Sequence, residues 1–250
     1  MKLSAMSAQV TPLVGRAREA GLATRDIRVR LSKSRIAAFE HCPRRLWLQL
    51  HRPELARFDE RTLRVFAAGH HVGALARARH PDGFLVAEDH LHLIAAIART
   101  EQLIRSVKQV PIFEAAFHRN GVVVRVDILE PDRWGGWRLI EVKNSGAVKP
   151  YQLLDVSTQA WVITGNGICL SSVIVRHVSR PMMIHELRPR VRFVDADVTD
   201  EVTRLVRHRG QVVDRARQVA TGAEPRVQPG RHCTRPFRCE FRDYCNSSNA

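Results

Sequence analysis

Apolar positions recur at helical spacing between about residue 31 and residue 109. A hydroxyl at Ser32 or Ser34 suits the cap of a short helix, because its oxygen accepts a bond from a first-turn amide. Pro43 suits the first turn of the next helix. Later apolar stripes predict two longer helices. The first predicted helix ends near residue 39. The next three cover residues 43–48, 61–79 and 88–109.

The period changes to that of strands after residue 110. Two runs rich in β-branched residues flank Asn120-Gly121, which is a strong signal for a two-residue hairpin turn. A third run follows the Trp134-Gly135-Gly136 turn. The predicted strands cover residues 112–118, 122–129, 137–143 and 168–175, and the predicted helices cover residues 151–163 and 199–219.

Length and composition favour one globular domain. The chain has 250 residues, of which 44% are hydrophobic and 26% charged, and it shows no internal repeat. Residues 1–30 lack a sustained period and are expected to be a loosely ordered extension. The domain is therefore assigned to residues 31–250.

The charge balance points to a polyanionic partner. Forty Lys and Arg residues against 25 Asp and Glu give a formal charge of +15. Such a surface attracts nucleic acid, although a basic balance also serves solubility alone. Arginine supplies almost all of this charge, so each retained lysine is informative. The five lysines are Lys2, Lys33, Lys108, Lys143 and Lys149.

No secretory signal or membrane span is expected. The first thirty residues lack a continuous apolar stretch, and eighteen apolar residues never run together. A cytoplasmic location follows as a prediction. In a reducing compartment, the five cysteines are expected to be metal ligands or buried side chains rather than disulfides. Cys169 is expected to be a small buried apolar side chain.

Two carboxylates and a lysine form the candidate catalytic group. Asp127 follows a run of valines, and Glu141-Val142-Lys143 closes the next strand. Because side chains alternate along a strand, Glu141 and Lys143 share one face, and Asp127 can point toward them. Oxygen donors of this kind suit Mg²⁺ or Mn²⁺. The lysine would orient a nucleophile or stabilise charge on phosphoryl oxygens.

Other polar residues extend this candidate site. Tyr151, Asp155 and Gln159 are spaced by four on the following helix, and Gln159 is expected to reach the site. His70 is a candidate metal ligand. Glu114 is either a further carboxylate of the site or an exposed strand residue.

Four cysteines form a second candidate site. Cys233, Cys239 and Cys245 are each separated by five residues, and Cys42 lies far upstream. Together they can supply the thiolates of a 4Fe-4S cluster, which would join the two ends of the domain. Structural zinc is the competing interpretation, although its ligand pairs are usually spaced more tightly.

The ordered set of these motifs resembles the RecB-type exonucleases and the CRISPR-associated iron-sulfur adaptation nucleases of the PD-(D/E)XK superfamily. The resemblance covers about residues 31–245. Two further segments carry it, Leu31-Ser32-Lys33-Ser34-Arg35 and Gly69-His70-His71-Val72-Gly73. It implies an α/β fold, a restriction-endonuclease-like mixed sheet flanked by helices, closed by the cluster.

The resemblance also implies roles for single residues. Asp127 and Glu141 would be metal ligands together with the Val142 carbonyl, Lys143 would be the catalytic lysine, and Gln159 would be the motif glutamine. Three features depart from the pattern. Ile163 replaces a tyrosine, Gly73 replaces a metal-binding histidine, and the first gap of the C-terminal cysteine triplet is longer than the commoner two-residue gap.

A metal-dependent DNA nuclease, acting as an exonuclease or preferring single strands, is the function predicted from these residues. A DNA-binding or adaptation subunit without catalysis is the alternative, and an iron-sulfur redox sensor is a third reading. Single-stranded DNA or duplex ends are the expected partner, with a helicase or adaptation-complex protein as a possible second one. The arginines expected to contact phosphates are Arg44, Arg45, Arg235, Arg238 and Arg242.

Overall fold

A computed structural model describes residues 31–182 and 191–247 of the chain. The predicted N-terminal extension, residues 1–30, lies outside the described residues. The helices are α1 (Lys33–His41), α2 (Pro43–His51), α3 (Glu60–Arg77), α4 (Leu93–Ile104), α5 (Pro150–Gly165), α6 (Thr199–Val206), α7 (Arg209–Thr221) and α8 (Arg242–Ser247). The strands are β1 (Leu31–Ser32), β2 (Phe84–Leu85), β3 (Ile112–Arg119), β4 (Val122–Pro131), β5 (Trp137–Lys143), β6 (Leu170–Val178) and β7 (Phe193–Asp197).

All of these strands join one mixed sheet. Its order is β2-β3-β4-β5-β6-β7, with β1 paired to β4 outside that order. Strands β3, β4 and β5 form an antiparallel meander, whereas β6 runs parallel to β5. The prediction of an α/β fold with a mixed sheet flanked by helices is therefore confirmed.

One edge of β4 is shared by two strands. Its first residues pair with β1, through Leu31 opposite Val122, and its last residues pair with β5, through Ile128 opposite Ile140. Strand β3 covers the other edge. The middle of β4, including Asp127, therefore faces a gap between β1 and β5.

The alternation of side chains along β4 is interrupted at this gap. Val124 and Val126 enter the main core, and so does Leu129, three residues after Val126. Ile128 instead packs on the opposite face, with residues of α3 and β6. Asp127 lies where the side chains of β4 change the face of the sheet toward which they point.

The hairpin turn was predicted correctly from its residue types. Asn120 and Gly121 have φ angles of 45° and 71°, the left-handed conformations that a two-residue turn requires. The helix predicted over residues 88–109 is shorter, because the Asp89 side chain accepts bonds from the Leu91 and His92 amides and forms a turn first. The helix predicted over residues 199–219 is divided into α6 and α7.

The short edge strands β2 and β7 were not predicted. Strand β7 is mostly exposed and lacks clean apolar alternation. Cys169 was predicted wrongly, since it is exposed in the segment before β6 rather than buried. None of the described helices has the length and apolar character needed to cross a bilayer.

A buried ion pair joins α1, α5 and α7. Arg209 is 2% exposed, and its guanidinium donates to both oxygens of Glu40 at 2.7 Å and to the Thr158 hydroxyl at 2.8 Å. Such a two-pronged contact fixes both position and orientation. It therefore fixes how α1 lies against the helices beside it.

We expect Glu40→Ala to lower the free energy of unfolding by about 3–5 kcal/mol, because it leaves a buried guanidinium without its counter-charge. Replacing both partners, as Glu40→Leu with Arg209→Met, should recover most of that loss. The control is Glu60→Ala, which breaks an exposed pair with Arg64 and should cost less than about 1 kcal/mol. Urea denaturation measures all three, and equal losses for Glu40→Ala and Glu60→Ala would contradict the role of burial.

Candidate active site

The ends of β4 and β5 bring the two predicted carboxylates together. The Ile128–Ile140 pairing places Asp127 and Glu141 at neighbouring positions on the two strands. Beyond it, the Val142 amide donates to Asp127 Oδ2 at 2.7 Å. The side chain of Asp127 therefore takes the place of a regular strand-to-strand bond at the gap in the sheet.

Glu141 is the most enclosed charged group of the site. Its side chain is 2% exposed, yet it carries a carboxylate whose burial requires compensation. Lys33 Nζ lies 2.9 Å and 3.0 Å from Oε1 and Oε2, and Lys143 Nζ lies 2.7 Å from Oε1. Gln159 Nε2 donates to Oε2 at 2.7 Å.

Helix α5 supplies the remaining polar groups. Asp155 Oδ2 accepts from Lys143 Nζ at 2.7 Å, so this lysine is held between two carboxylates. Gln159 lies one turn later and is fully buried. Its amide oxygen has no hydrogen-bond partner among the described residues. Pro150 begins the helix, and Gln152 Oε1 accepts from the Lys149 amide, which secures its first turn.

Burial and mutual attraction set the charges of the group. Burial opposes ionisation of Glu141, but attraction to Lys143 and Lys33 outweighs it and lowers the pKa of Glu141 below its ordinary value. Burial and repulsion from Glu141 raise the pKa of Asp127 to about 7. Despite burial, the nearby carboxylates raise the pKa of both lysines above their ordinary value. Asp127 is therefore the carboxylate of the pair that is more readily protonated.

The donor set fits a divalent cation chemically. Asp127, Glu141 and the Val142 carbonyl offer hard oxygens, and the Lys33 ammonium already stands as a cation on Glu141. The unpartnered Gln159 oxygen beside Glu141 is a ready acceptor for a water. As the described side chains are placed, however, no three His, Cys, Asp or Glu residues are arranged to hold a metal ion.

The structure does not bring His70 into this site. His70 is exposed on α3, whereas Val72 and Ala76 form the face of that helix that packs in the core. Two residues rotate a helix by more than half a turn, so His70 points away from that face. Glu114 is occupied by arginines, with Arg77 at 3.6 Å and Arg125 at 3.4 Å.

The four predicted cysteine ligands share one cavity at the other end of α1. Cys42 lies between α1 and α2, and the C-terminal segment folds back against it. The cavity is lined by Cys42, Cys233, Cys239 and Cys245, together with arginines 44, 45 and 242. Burial raises the pKa of the Cys239 thiol to about 11, and that of Cys42 in the same direction. The five cysteines all lie in the described part of the chain, and none of them forms a disulfide there.

Two of the five arginines expected to contact phosphates are instead bound to carboxylates of the chain. Arg44 is buried with its Nε 2.6 Å from Glu224, and Arg45 Nε lies 2.9 Å from Glu240. Both guanidiniums are thus engaged in ion pairs. Arg238 lies 3.4 Å from Asp243 in an exposed pair, and Arg235 is exposed. The open basic surface is therefore on the C-terminal segment.

Two residues of the carboxylate group were not assigned to it from the sequence. Lys33 lies 108 residues from Glu141 in the chain, and Asp155 was noted only as part of a polar stripe. The available signal for Lys33 was the scarcity of lysine. For Asp155 it was the spacing of four from Gln159.

No family model and no curated protein matches the chain. Among solved structures, the protein SSO0001 is 14% identical with a TM-score of 0.38, over 87% of this chain and 85% of that one. A protein from Eubacterium rectale described as "Putative exonuclease" is 16% identical with a TM-score of 0.43, over 98% of this chain and 95% of that one. Both scores are too low to carry an argument about fold or function.

Proposed function

We propose that this chain is a divalent-metal-dependent DNA nuclease that hydrolyses phosphodiester bonds and prefers single strands or ends. The observation that carries the proposal is the meeting of Asp127, Glu141 and Lys143 at the gap in the sheet. Removing charged groups from water costs free energy that their pairing recovers only in part. A cluster of carboxylates and ammonium groups with shifted pKa values is therefore a candidate for catalysis. The charge of +15 suits a polyanionic substrate.

Each residue has a distinct task in this proposal. Asp127, Glu141 and the Val142 carbonyl would hold Mg²⁺ or Mn²⁺, which when bound supplies an activated water and positive charge beside the scissile phosphate. Lys143 orients the attacking water and stabilises the charge that develops on the phosphoryl oxygens. Asp155 holds the Lys143 ammonium in place, and Gln159 holds Glu141.

A pair of half-exposed aromatic rings supports the preference for single strands. Tyr151 and Phe237 are 37% and 39% exposed, with ring centroids 6.0 Å apart. The Arg45 guanidinium lies 5.0 Å from the Phe237 ring. Tyr151 precedes Asp155 by one helical turn, about 6 Å along the axis of α5. Rings beside basic groups bind unpaired bases by stacking.

The cysteine cavity supports the proposal of a 4Fe-4S cluster. Four thiols from the two ends of the described chain line it, and iron-sulfur clusters are held by four thiolates. Zinc binds the same ligand type and remains the competing occupant. In either case the ligands would lose their protons on binding, against the raised pKa of Cys42 and Cys239.

The occupied state of Glu141 favours a second candidate, a DNA-binding subunit without catalysis. Both oxygens of this carboxylate already accept bonds from lysine and glutamine side chains. If Lys33 stays on Glu141 permanently, the chain keeps its basic surface and loses its metal site. Cleavage assays separate the two candidates.

Lys143→Ala is expected to abolish cleavage of labelled DNA while changing DNA affinity less than about threefold, because the ammonium acts on the transition state. The assay uses single- and double-stranded substrates with Mg²⁺, Mn²⁺ or EDTA. Lys108→Ala, at an exposed lysine, is the control for lost charge and should cut like the wild type. Cleavage by Lys143→Ala at the wild-type rate would refute the catalytic assignment.

Anaerobically purified protein is expected to be brown and to contain iron and acid-labile sulfide in equal amounts. Cys42→Ser should remove most of that iron, because Cys42 lines the cavity with the C-terminal cysteines. Cys169→Ser is the matched control, since Cys169 is exposed and outside the cavity, and it should keep the iron. Colourless wild-type protein that carries zinc would contradict the cluster.

Phe237→Leu should weaken binding of a single-stranded oligonucleotide roughly tenfold, since stacking contributes about 1–3 kcal/mol per base. Phe237→Trp keeps an aromatic face and should bind like the wild type. Trp134→Leu is the control, because Trp134 is an exposed ring in the turn between β4 and β5. Fluorescence anisotropy in EDTA measures binding without cleavage, and equal affinity of all four proteins would exclude stacking on Phe237.

A further inference from the structure

Lys33 occupies the place on Glu141 that a bound cation would take. Its ammonium lies within 3.0 Å of both carboxylate oxygens, a position that bridges them. Attraction extends to Asp127 and Asp155 as well. Only 20% of its side chain is exposed. Lys33 is thus an internal counter-ion of the whole carboxylate group.

The acceptor capacity of Glu141 is used up in this arrangement. A carboxylate has two oxygens with about four lone-pair positions. Lys33 contacts both oxygens, Lys143 contacts Oε1 and Gln159 contacts Oε2. A metal ion can therefore reach Glu141 only if one donor leaves.

Lys33 is the donor best able to leave. Lys143 is also held by Asp155 at 2.7 Å, and Gln159 is fully buried on α5. Within residues 31–182 and 191–247, Lys33 has Glu141 as its sole partner at hydrogen-bond distance, and it is the first residue of α1. Its four-carbon stem is flexible, so the ammonium can move without a change in the helix.

The use of lysine at this position agrees with a mobile cation. The chain uses arginine for 35 of its 40 basic residues, from the total of 40 and the five lysines. An arginine would grip Glu141 with a rigid two-pronged contact, whereas an ammonium is a compact point charge. Lysine therefore suits a contact that is made and broken.

We propose that Lys33 is the resident cation of the carboxylate site and that it yields Glu141 to a divalent ion when the ion binds. The released ammonium then lies beside the site, where a phosphate of the substrate is its natural partner. Lys33 acts as a positioning residue that keeps Glu141 in place before metal and substrate arrive. The inference rests on the metal site of the proposed function.

The experiment measures Mn²⁺ binding to the full chain by the electron paramagnetic resonance of free Mn²⁺. Lys33→Met should lower the Kd for Mn²⁺ by about tenfold or more, since the ion no longer competes with a positive charge. Lys33→Gln keeps a neutral donor and should show the same direction, which covers a folding failure of the first variant. Lys108→Met removes an equal charge elsewhere and should bind like the wild type.

Thermal unfolding gives an independent readout. In EDTA, Lys33→Met should lower Tm by at least about 4 °C, because Glu141 and Asp127 lose a counter-ion. Mn²⁺ should restore most of that loss in the variant and change the wild type less. A structural role without exchange would give the loss without the restoration.

The outcomes separate the exchange from the proposed function. Wild-type binding of Mn²⁺ with no gain in Lys33→Met and Lys33→Gln would overturn the exchange and leave the nuclease proposal standing. Absence of Mn²⁺ binding in all of these proteins would overturn both. Tighter binding in the variants with no cleavage by the wild type would support the exchange and count against the nuclease.

Discussion

The need to neutralise the buried carboxylate of Glu141 organises the centre of this protein. Its counter-charges come from separate elements, Lys33 at the start of α1 and Lys143 at the end of β5, while Gln159 on α5 adds a neutral donor. A buried charge that loses its partner is strongly destabilising. Helix α1, strand β5 and helix α5 must therefore pack together for the charge of Glu141 to be neutralised.

The shared edge of β4 makes room for this group. A strand paired along its whole length would fill its edge with backbone bonds, but β1 and β5 each cover only part of it. In the remaining gap, Asp127 accepts a bond from the Val142 amide with its side chain. A side chain rather than the backbone thus completes the sheet there and places a carboxylate at the gap.

Local patterns were enough to predict much of this arrangement, but not its long-range contacts. Strand periodicity and the Trp134-Gly135-Gly136 turn place Asp127 near Glu141 and Lys143, because a short turn pairs the two strands that it joins. The position of Lys33 depends on how α1 packs, which involves the buried pair between Glu40 and Arg209. No periodicity encodes such a contact. His70 lies away from the site for the related reason that packing sets the rotation of α3 about its axis.

Two helices connect the carboxylate group to the cysteine cavity. Helix α1 has Lys33 at its first residue and His41 at its last, about 12 Å apart, and Cys42 follows directly. On helix α5, Gln159 contacts the carboxylate of Glu141. About 12 Å toward the start of the same helix, Tyr151 contacts Phe237, which lies between Cys233 and Cys239. Each helix is a rigid link between the two places. The cavity and the carboxylate group, although apart, are therefore built on the same two helices, α1 and α5.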